Sequence, residues 1–315
     1  RLLCELWSSD YRTHIDDNRW APLEGLIVSR RERVLSSAVR LQPKSYSNDI
    51  PEGFRVLGNL LVFTNERREI KFDLTRGLSI ASYKSPQSTS VTPIFGHVPH
   101  GTIRDVRYSP DWYSGNLVFR PLGGQQVTDL EAASPRFFTT VTGVGVSAEL
   151  PTSRGVIRKD IEIESSSGIV EVRYSLPVFP RTGQLRLGHI SIYRPMGDSS
   201  SIQIETHNGG RDSVSVSYSE SEFDMGAPVN TLVTATTGVG MTGGYLNLWK
   251  GAEGVAFEFD ASLHPFIGLL ANYCSPSEGQ LFRFCVSAQE SDDTLRGGLG
   301  APAFLAYKLR PLLSC

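Results

Sequence analysis

The sequence is poor in features that mark several large classes of protein. Its 315 residues contain four cysteines, with no Cys-x-x-Cys spacing and no paired histidines beside them, which argues against a zinc site. No apolar stretch approaches the ~18 residues of a membrane span. Basic and acidic residues number 31 and 33, and beyond Arg30-Arg31-Glu32-Arg33 no basic run indicates nucleic-acid binding. We expect no metal, cofactor, nucleic acid or membrane as a partner.

Two of the cysteines permit two interpretations. Cys274 and Cys285 would face each other across a hairpin with the loop Ser275 to Gly279, so a disulfide is one interpretation. Buried free thiols in a cytoplasmic protein are the preferred one.

The N-terminal part of the chain has a helical pattern. Arg1 precedes the apolar residues Leu2, Leu3, Leu6 and Trp7, which are typical of a helix interior. We therefore expect the chain to be a fragment of a longer protein. Residues 1–40 are predicted to be helical, and residues 41–53 to form a polar linker. The predicted organisation is a helical segment and linker over 1–50, followed by a β domain over 51–315.

From Phe54 onward the hydrophobic period changes to that of strands. Apolar and polar residues alternate in Ile161–Glu164 and Val170–Tyr174, which indicates antiparallel sheets with one buried face. About fifteen strands are predicted, more than one immunoglobulin-sized sandwich holds. The predicted fold is mainly β, a large antiparallel β-supersandwich with a short N-terminal helical segment. The predicted strands cover 54–63, 68–74, 78–83, 102–108, 116–120, 136–149, 155–164, 168–176, 184–194, 201–206, 213–219, 230–236, 245–250, 254–260 and 280–289.

Residues 91–130 hold the best candidate binding site, because reactive side chains, aromatic rings and loop-forming prolines concentrate there. A pyranose needs a flat apolar platform for its C–H face, with donors and acceptors for its hydroxyls. The alternative interpretation is that the histidines cap loop carbonyls and Trp112 closes the end of the sandwich. The candidate carbohydrate-binding residues are His97, His100, Asp105, Asp111, Trp112 and Tyr113.

Chemistry on the sugar would require more groups. A mutarotase or epimerase needs a carboxylate base and an imidazole, and a glycosidase needs two carboxyl groups roughly 5–10 Å apart. The catalytic residues stay unassigned, since each candidate also has a structural interpretation as a turn, cap or solvated residue. These candidates are Glu205 with His207, Glu258, Glu290 with Asp292 and Asp293, and the histidines His97, His100 and His189.

A polar segment near the start of the chain, Ser8 to His14, lies between Trp7 and Trp20. A connection between two helices is the simpler interpretation. The functional one is a segment that reaches into a neighbouring active site, where Asp10 would accept sugar hydroxyls and Tyr11 would stack on the ring.

These segments resemble the C-terminal half of glycoside hydrolase family 57-type proteins. Ser9-Asp10-Tyr11 is similar to the last motif of that family, a Ser-Asp-Trp pattern, with Tyr11 in place of the tryptophan. A helical segment followed by a galactose mutarotase-like β-sandwich is also the domain order of that family. Segments 231–244 and 282–294 resemble parts of such sandwiches. The resemblance implies a catalytic barrel N-terminal to this chain, which would hold the catalytic carboxylates, and residues 1–50 would be the tail of that missing catalytic domain.

Three hypotheses follow. The first is an accessory, carbohydrate-binding supersandwich of a polysaccharide-processing glycoside hydrolase or glucanotransferase, with an oligo- or polysaccharide as its partner. The second is a self-sufficient mutarotase, epimerase or polysaccharide lyase. It would be excluded if His97 and His100 lay more than about 10 Å from every carboxylate. The third is a structural assembly domain.

Overall fold

The computed structural model describes residue 25 and residues 45–86, 92–103, 111–180, 182–207, 213–218, 238–264, 266–275, 277–290 and 304–313. The chain divides into the units Arg1–Lys44 and Ser45–Cys315, and every described strand belongs to the second. Except for Gly25, the predicted helical segment lies outside the described residues, and the predicted boundary at residue 50 stays a prediction. None of the described helices has the length and apolar character that crossing a membrane requires.

The described residues form twenty strands. They are β1 (Phe54–Leu57), β2 (Leu60–Thr64), β3 (Glu69–Asp73), β4 (Ser79–Lys84), β5 (Phe95–Gly96), β6 (Val118–Pro121), β7 (Val127–Thr128), β8 (Arg136–Thr139), β9 (Gly143–Thr152), β10 (Gly155–Glu164), β11 (Val170–Ser175), β12 (Gly183–Pro195), β13 (Ile202–Thr206), β14 (Val214–Tyr218), β15 (Gly238–Val239), β16 (Tyr245–Lys250), β17 (Glu253–Glu258), β18 (Ile267–Ser275), β19 (Gly279–Gln289) and β20 (Phe304–Leu313).

These strands form three antiparallel sheets. The largest has nine strands in the order β14-β13-β16-β17-β20-β11-β10-β9-β8, the second has six in the order β15-β18-β19-β12-β6-β7, and the third has five in the order β1-β2-β3-β4-β5. The prediction of a mainly β, antiparallel supersandwich is confirmed.

The nine-stranded and six-stranded sheets pack face to face around one apolar core. Phe257 of β17 and Phe284 of β19 meet edge to face with ring centroids 5.2 Å apart. The alternation predicted from the sequence produces this packing: in β11, Val170, Val172 and Tyr174 are buried and the residues between them are not. Period-two patterning therefore places one face of each long strand in the core.

A buried ion pair connects the three sheets. Lys159 of β10 is 0% exposed, as is Asp129, which follows β7. Lys159 Nζ lies 3.1 Å from Asp129 Oδ2 and donates to the carbonyls of Gly77 and Gly115 at 2.9 and 2.7 Å. The hydroxyl of Tyr174 lies 2.9 Å from the same carboxylate oxygen. Both charges are thus fully surrounded by polar partners, as burial of an ion pair requires.

Two predicted strands proved to be hairpins. Residues 54–63 divide into β1 and β2, because Gly58 adopts a φ of +58° that turns the chain. Residues 136–149 divide into β8 and β9, where a Cβ at Gly143 would lie 2.0 Å from the carbonyl oxygen of Ile163. Of the predicted strand 102–108, residues 102 and 103 are not in a strand and the rest lies outside the described residues, as does 230–236.

The disulfide interpretation is wrong for Cys274 and Cys285: both are free thiols, and both are half-buried rather than buried as expected. The expected hairpin exists as β18 and β19. Its register places Cys274 opposite Gln280 and Cys285 opposite Leu269, so the two sulfur atoms are separated along the strands.

We predict that Lys159→Met lowers the free energy of unfolding by about 3–5 kcal/mol, because it leaves the Asp129 carboxylate buried without its counter-ion. Adding Asp129→Asn should restore part of that loss, because the amide oxygen still accepts from the backbone N–H of Leu117. Urea denaturation measures both. As the control, Lys308→Met at an exposed site of β20 should change the free energy by no more than about 0.5 kcal/mol. Equal effects of Lys159→Met and Lys308→Met would contradict the role of the pair.

Candidate functional site

The centre of the predicted window folds back on itself. Val98 and Trp112 form an isolated antiparallel bridge, with the two N–H···O distances at 3.0 and 2.9 Å. The bridge forms because Val98 and Ile103 are buried with Leu281 of β19, and Trp112 packs against this cluster. It brings the residues around 97–100 against those around 111–113.

The carboxylate of Asp111 is the centre of this loop. Its Oδ1 accepts the backbone N–H of His100 at 2.8 Å and lies 3.5 Å from His97 Nε2. Its Oδ2 accepts the hydroxyl of Tyr113 at 3.2 Å, and Arg76 Nε donates to that hydroxyl at 3.1 Å. The backbone hydrogen bond from His100, and the electrostatic influence of His97, lower the pKa of Asp111, so the group stays ionised and is a weak base.

The rings of His97 and Tyr113 stack with centroids 4.5 Å apart and planes 12° apart. Both side chains are half-buried. The stack and the hydrogen bonds to Asp111 hold the three side chains as one rigid unit, which lowers the entropy lost on binding.

Five of the eight predicted site residues therefore lie in one loop structure: His97, His100, Asp111, Trp112 and Tyr113. Asp105, Asp10 and Tyr11 lie outside the described residues. The contacts of Trp112 with Val98, Ile103 and Leu281 agree with its alternative role in packing. Among the described residues, the side chain of His97 contacts Asp111 and Tyr113.

This loop borders an open groove of ≈ 510 Å³ on the outer face of the six-stranded sheet. The groove continues over side chains of β6, β12 and β19 that point away from the core. Its lining includes Asp111, Trp112 and Tyr113 from the loop, and Asn116, Arg120, Gln184, Arg186, His189 and Arg283 beyond it.

A β-bulge in β12 directs His189 into the groove. The register with β19 shifts between Leu187 and Ile190, and Gly188 has a φ of +62°. A Cβ at Gly188 would lie 2.5 Å from the ring of Phe257, so close packing of the two sheets requires glycine there. Bulges commonly re-aim side chains next to binding sites.

His189 is held as a neutral imidazole of defined tautomer. Its Nδ1 lies 2.9 Å from the carbonyl oxygen of Asn116, which only accepts, so Nδ1 carries the proton and Nε2 is an acceptor. Burial, together with the positive charges of Arg283 and Arg186, lowers the pKa of His189 to about 3.

The two inner arginines of the groove differ in their partners. Arg186 forms a bidentate pair with Glu290 and donates to Ser287 Oγ at 2.6 Å. Arg283 Nη1 donates to Ser191 Oγ at 3.2 Å. No carboxylate of the described residues forms an ion pair with Arg283.

The other carboxylates considered from the sequence lie elsewhere or are engaged. Glu205 and Glu258 belong to β13 and β17 of the nine-stranded sheet, and Glu258 accepts from Arg310 at 2.6 and 2.8 Å. Glu290 is paired with Arg186. Asp292 and Asp293 lie outside the described residues. Among the described residues that line the groove, Asp111 is the carboxylate.

Sequence reasoning missed Arg283, Gln184 and Asn116 as groove residues. The sequence does contain one indication, an alternation of apolar and charged residues: Arg283 lies between Phe282 and Phe284, which are both fully buried. A charged residue at such a position indicates only that its side chain lies on the strand face directed away from the core. Which loop covers that face is decided by residues far away in sequence.

No group of three or more His, Cys, Asp or Glu side chains that could hold a metal ion occurs within the described residues. The groove instead offers hydrogen-bond donors, acceptors and aromatic edges.

No family model matches this chain. No curated protein matches it either. Solved structures do match, and the three described below are 9 to 11% identical. A 4-alpha-glucanotransferase from Thermococcus litoralis is 11% identical, with 90% of this chain and 42% of that one covered, at a TM-score of 0.39. A TPR-domain containing protein from Parabacteroides distasonis ATCC 8503 is 11% identical over 84% of this chain and 48% of that one, at 0.45.

A galactose mutarotase-like protein from Lactobacillus casei ATCC 334 is 9% identical, with 81% of this chain and 99% of that one covered, at a TM-score of 0.46. This chain thus spans less than half the length of the first two structures. At these identities and scores the matches are likenesses of fold and carry no argument about activity.

Proposed function

We propose that this chain is a carbohydrate-binding accessory domain of a polysaccharide-processing enzyme, and that its ligand lies in the groove bordered by Trp112 and Tyr113. The observation that carries the proposal is the meeting of aromatic rings and fixed polar groups in one open groove on a rigid sheet. Apolar platforms with a few placed polar groups are typical of small-molecule and sugar sites.

The polar groups suit sugar hydroxyls because their roles are fixed before a ligand arrives. Asp111 is an ionised acceptor held by His100 and Tyr113. His189 presents an uncharged acceptor at Nε2. Gln184, on the same face, adds an amide that both donates and accepts. Vicinal hydroxyls need this combination of donors and acceptors.

Binding is favoured over hydrolysis by the state of the carboxylates. A glycosidase requires two carboxyl groups around the scissile bond, and in the described lining Asp111 stands alone. Its lowered pKa also makes it a poor general acid. The resemblance of Ser9-Asp10-Tyr11 to a family 57-type motif supports the further proposal that a catalytic barrel domain lies N-terminal to this chain.

A second candidate function is sugar mutarotation or epimerisation. The 3.5 Å between His97 Nε2 and Asp111 Oδ1 favours it, because an imidazole and a carboxylate are then within reach of one sugar. The condition that would have excluded this hypothesis, a separation of more than about 10 Å, is not met.

We predict that Trp112→Ala weakens glycan binding by about tenfold or more, because an aromatic platform contributes much of the affinity at such a site. Isothermal titration with α- and β-glucans, mannans and short oligosaccharides measures this. Trp249→Ala is the matched control, since Trp249 is also half-buried but belongs to the nine-stranded sheet. Urea midpoints separate lost binding from lost folding. An absence of binding to every glycan, or equal losses in both variants, would contradict the proposal and favour a structural domain.

The second candidate predicts a different result. The wild-type chain would interconvert sugar anomers, and Asp111→Asn and His97→Gln would each slow that exchange by about a hundredfold or more. Exchange is followed by polarimetry, and release of reducing ends is followed in parallel. We expect neither reaction above the rate in buffer. Turnover that these variants abolish would replace the accessory role with an enzymatic one.

The neutral state of His189 leads to a prediction on stability. The pKa of His189 lies below its unfolded value of 6.5, at about 3, so between these pH values the unfolded chain binds a proton that the folded chain does not. Stability is therefore complete above pH 6.5 and falls as the pH drops, by about 1.4 kcal/mol per pH unit for this group. His189→Asn keeps a donor to the Asn116 carbonyl and should flatten the slope, measured by urea denaturation at pH 5 to 8. An unchanged slope would show that His189 is not held neutral.

A further inference from the structure

The side chain of Arg283 is unusual among the arginines that the structure describes. It projects from β19 between two core phenylalanines, on the outer face, and is partly buried at the floor of the groove. Its hydrogen bond goes to the neutral hydroxyl of Ser191. Burial lowers the pKa of its guanidinium, and no carboxylate of the described residues opposes that effect.

Comparable arginines in the described part of the chain have acidic partners. Arg173 pairs with Glu162 and Glu171, and Arg186 pairs with Glu290. Arg68 has none, but it donates to the carbonyls of Arg67 and Leu312 and is completely inaccessible. Arg283 combines a missing counter-ion with access to a groove. A desolvated cation without an anion is costly, and a bound anion removes that cost.

The charges around Arg283 make the groove floor positive. Arg283 and Arg186 both act on His189 electrostatically, so the two guanidinium groups are near the same point. Glu290 neutralises Arg186 and His189 is neutral, so at the floor the charge of Arg283 has no acidic partner among the described residues. Asp111, the ionised carboxylate of the border, is engaged by His97, Tyr113 and the backbone N–H of His100. Exposed Arg120 adds a further positive group to the lining.

Arg283 is also connected to the aromatic border of the groove. Ser191, which accepts from Arg283, donates from Oγ to the carbonyl oxygen of Tyr113 at 3.4 Å. A sugar ring beside Tyr113 would therefore bring a charged substituent within reach of the guanidinium, whose planar donors match an oxyanion.

We propose that Arg283 forms an oxyanion subsite in this groove and that the ligand is an acidic glycan, one whose sugars carry a carboxylate or a sulfate group. This inference rests on the proposed glycan binding and specifies the class of glycan.

The test is titration of the full chain with matched charged and uncharged ligands. Oligogalacturonides are compared with their methyl esters, which lack only the charge, and dextran sulfate is compared with dextran. The variants are Arg283→Gln, Arg283→Lys and the control Arg55→Gln, at an exposed arginine of β1.

We expect at least one charged ligand to bind about tenfold or more tightly than its uncharged form, and its affinity to fall with added NaCl. Arg283→Gln should remove that difference between the charged and the uncharged form. Arg283→Lys should keep part of it, because the charge remains without the planar donors. Arg55→Gln should behave as wild type. The pair that shows the difference identifies carboxylate or sulfate as the group bound.

Two results would overturn the inference, and they are distinguishable. If wild type binds charged and uncharged forms equally and loses both on Trp112→Ala, the glycan proposal stands and the acidic subsite fails. If no glycan of either kind binds, both fail. Should Arg283→Gln not fold, the comparison of ligands, the salt dependence and Arg283→Lys still decide the matter.

Discussion

The ion pair of Lys159 and Asp129 fixes the part of the molecule on which the groove depends. Lys159 projects from the nine-stranded sheet and binds carbonyls at Gly77 and Gly115, which belong to separate loops. The backbone N–H of Gly115 then donates to the carbonyl of His189 at 2.7 Å, and the next residue, Asn116, sets the tautomer of His189. A buried charge pair can cost more in desolvation than it returns. Here the pair fixes the point at which the three sheets meet, and the positions of the groove side chains depend on that point.

The groove is built from two kinds of structure. Its floor lies on long, paired strands, where β12 and β19 hold Arg186, His189 and Arg283 at fixed positions of the sheet. Its border is a loop held by one small bridge and by the Asp111 hydrogen bonds. This arrangement suits a chain-like ligand, because the floor would select for a charged group while the aromatic rings of the border would stack on sugar rings.

Much of the fold was predictable because period-two alternation is a local signal. Strand β10 matches its predicted range, and the strands that failed did so for identifiable reasons. Gly58 turns a continuous apolar run into a hairpin through its positive φ. Strand β20 was missed although Leu305, Tyr307 and Leu309 alternate as buried residues. It contains Pro311, which normally argues against an inner strand. Pro311 is tolerated because pairing with β11 ends at Leu309, so only β17 flanks it there.

The candidate site was predictable only where its residues are close in sequence. His97, Asp111 and Tyr113 were grouped from the sequence because they lie in one window, and their binding role stays a prediction. Arg283 was not, since an outward charge on a strand normally indicates a solvated face. Arg283 instead belongs to the groove, because hydrogen bonds through Ser191 connect it to the carbonyl of Tyr113, which is far away in the sequence. The same side chain that would be solvated on an open sheet becomes a partly desolvated cation beside an aromatic border. Loss of its hydration, rather than the presence of arginine as such, makes an acidic ligand the fitting partner.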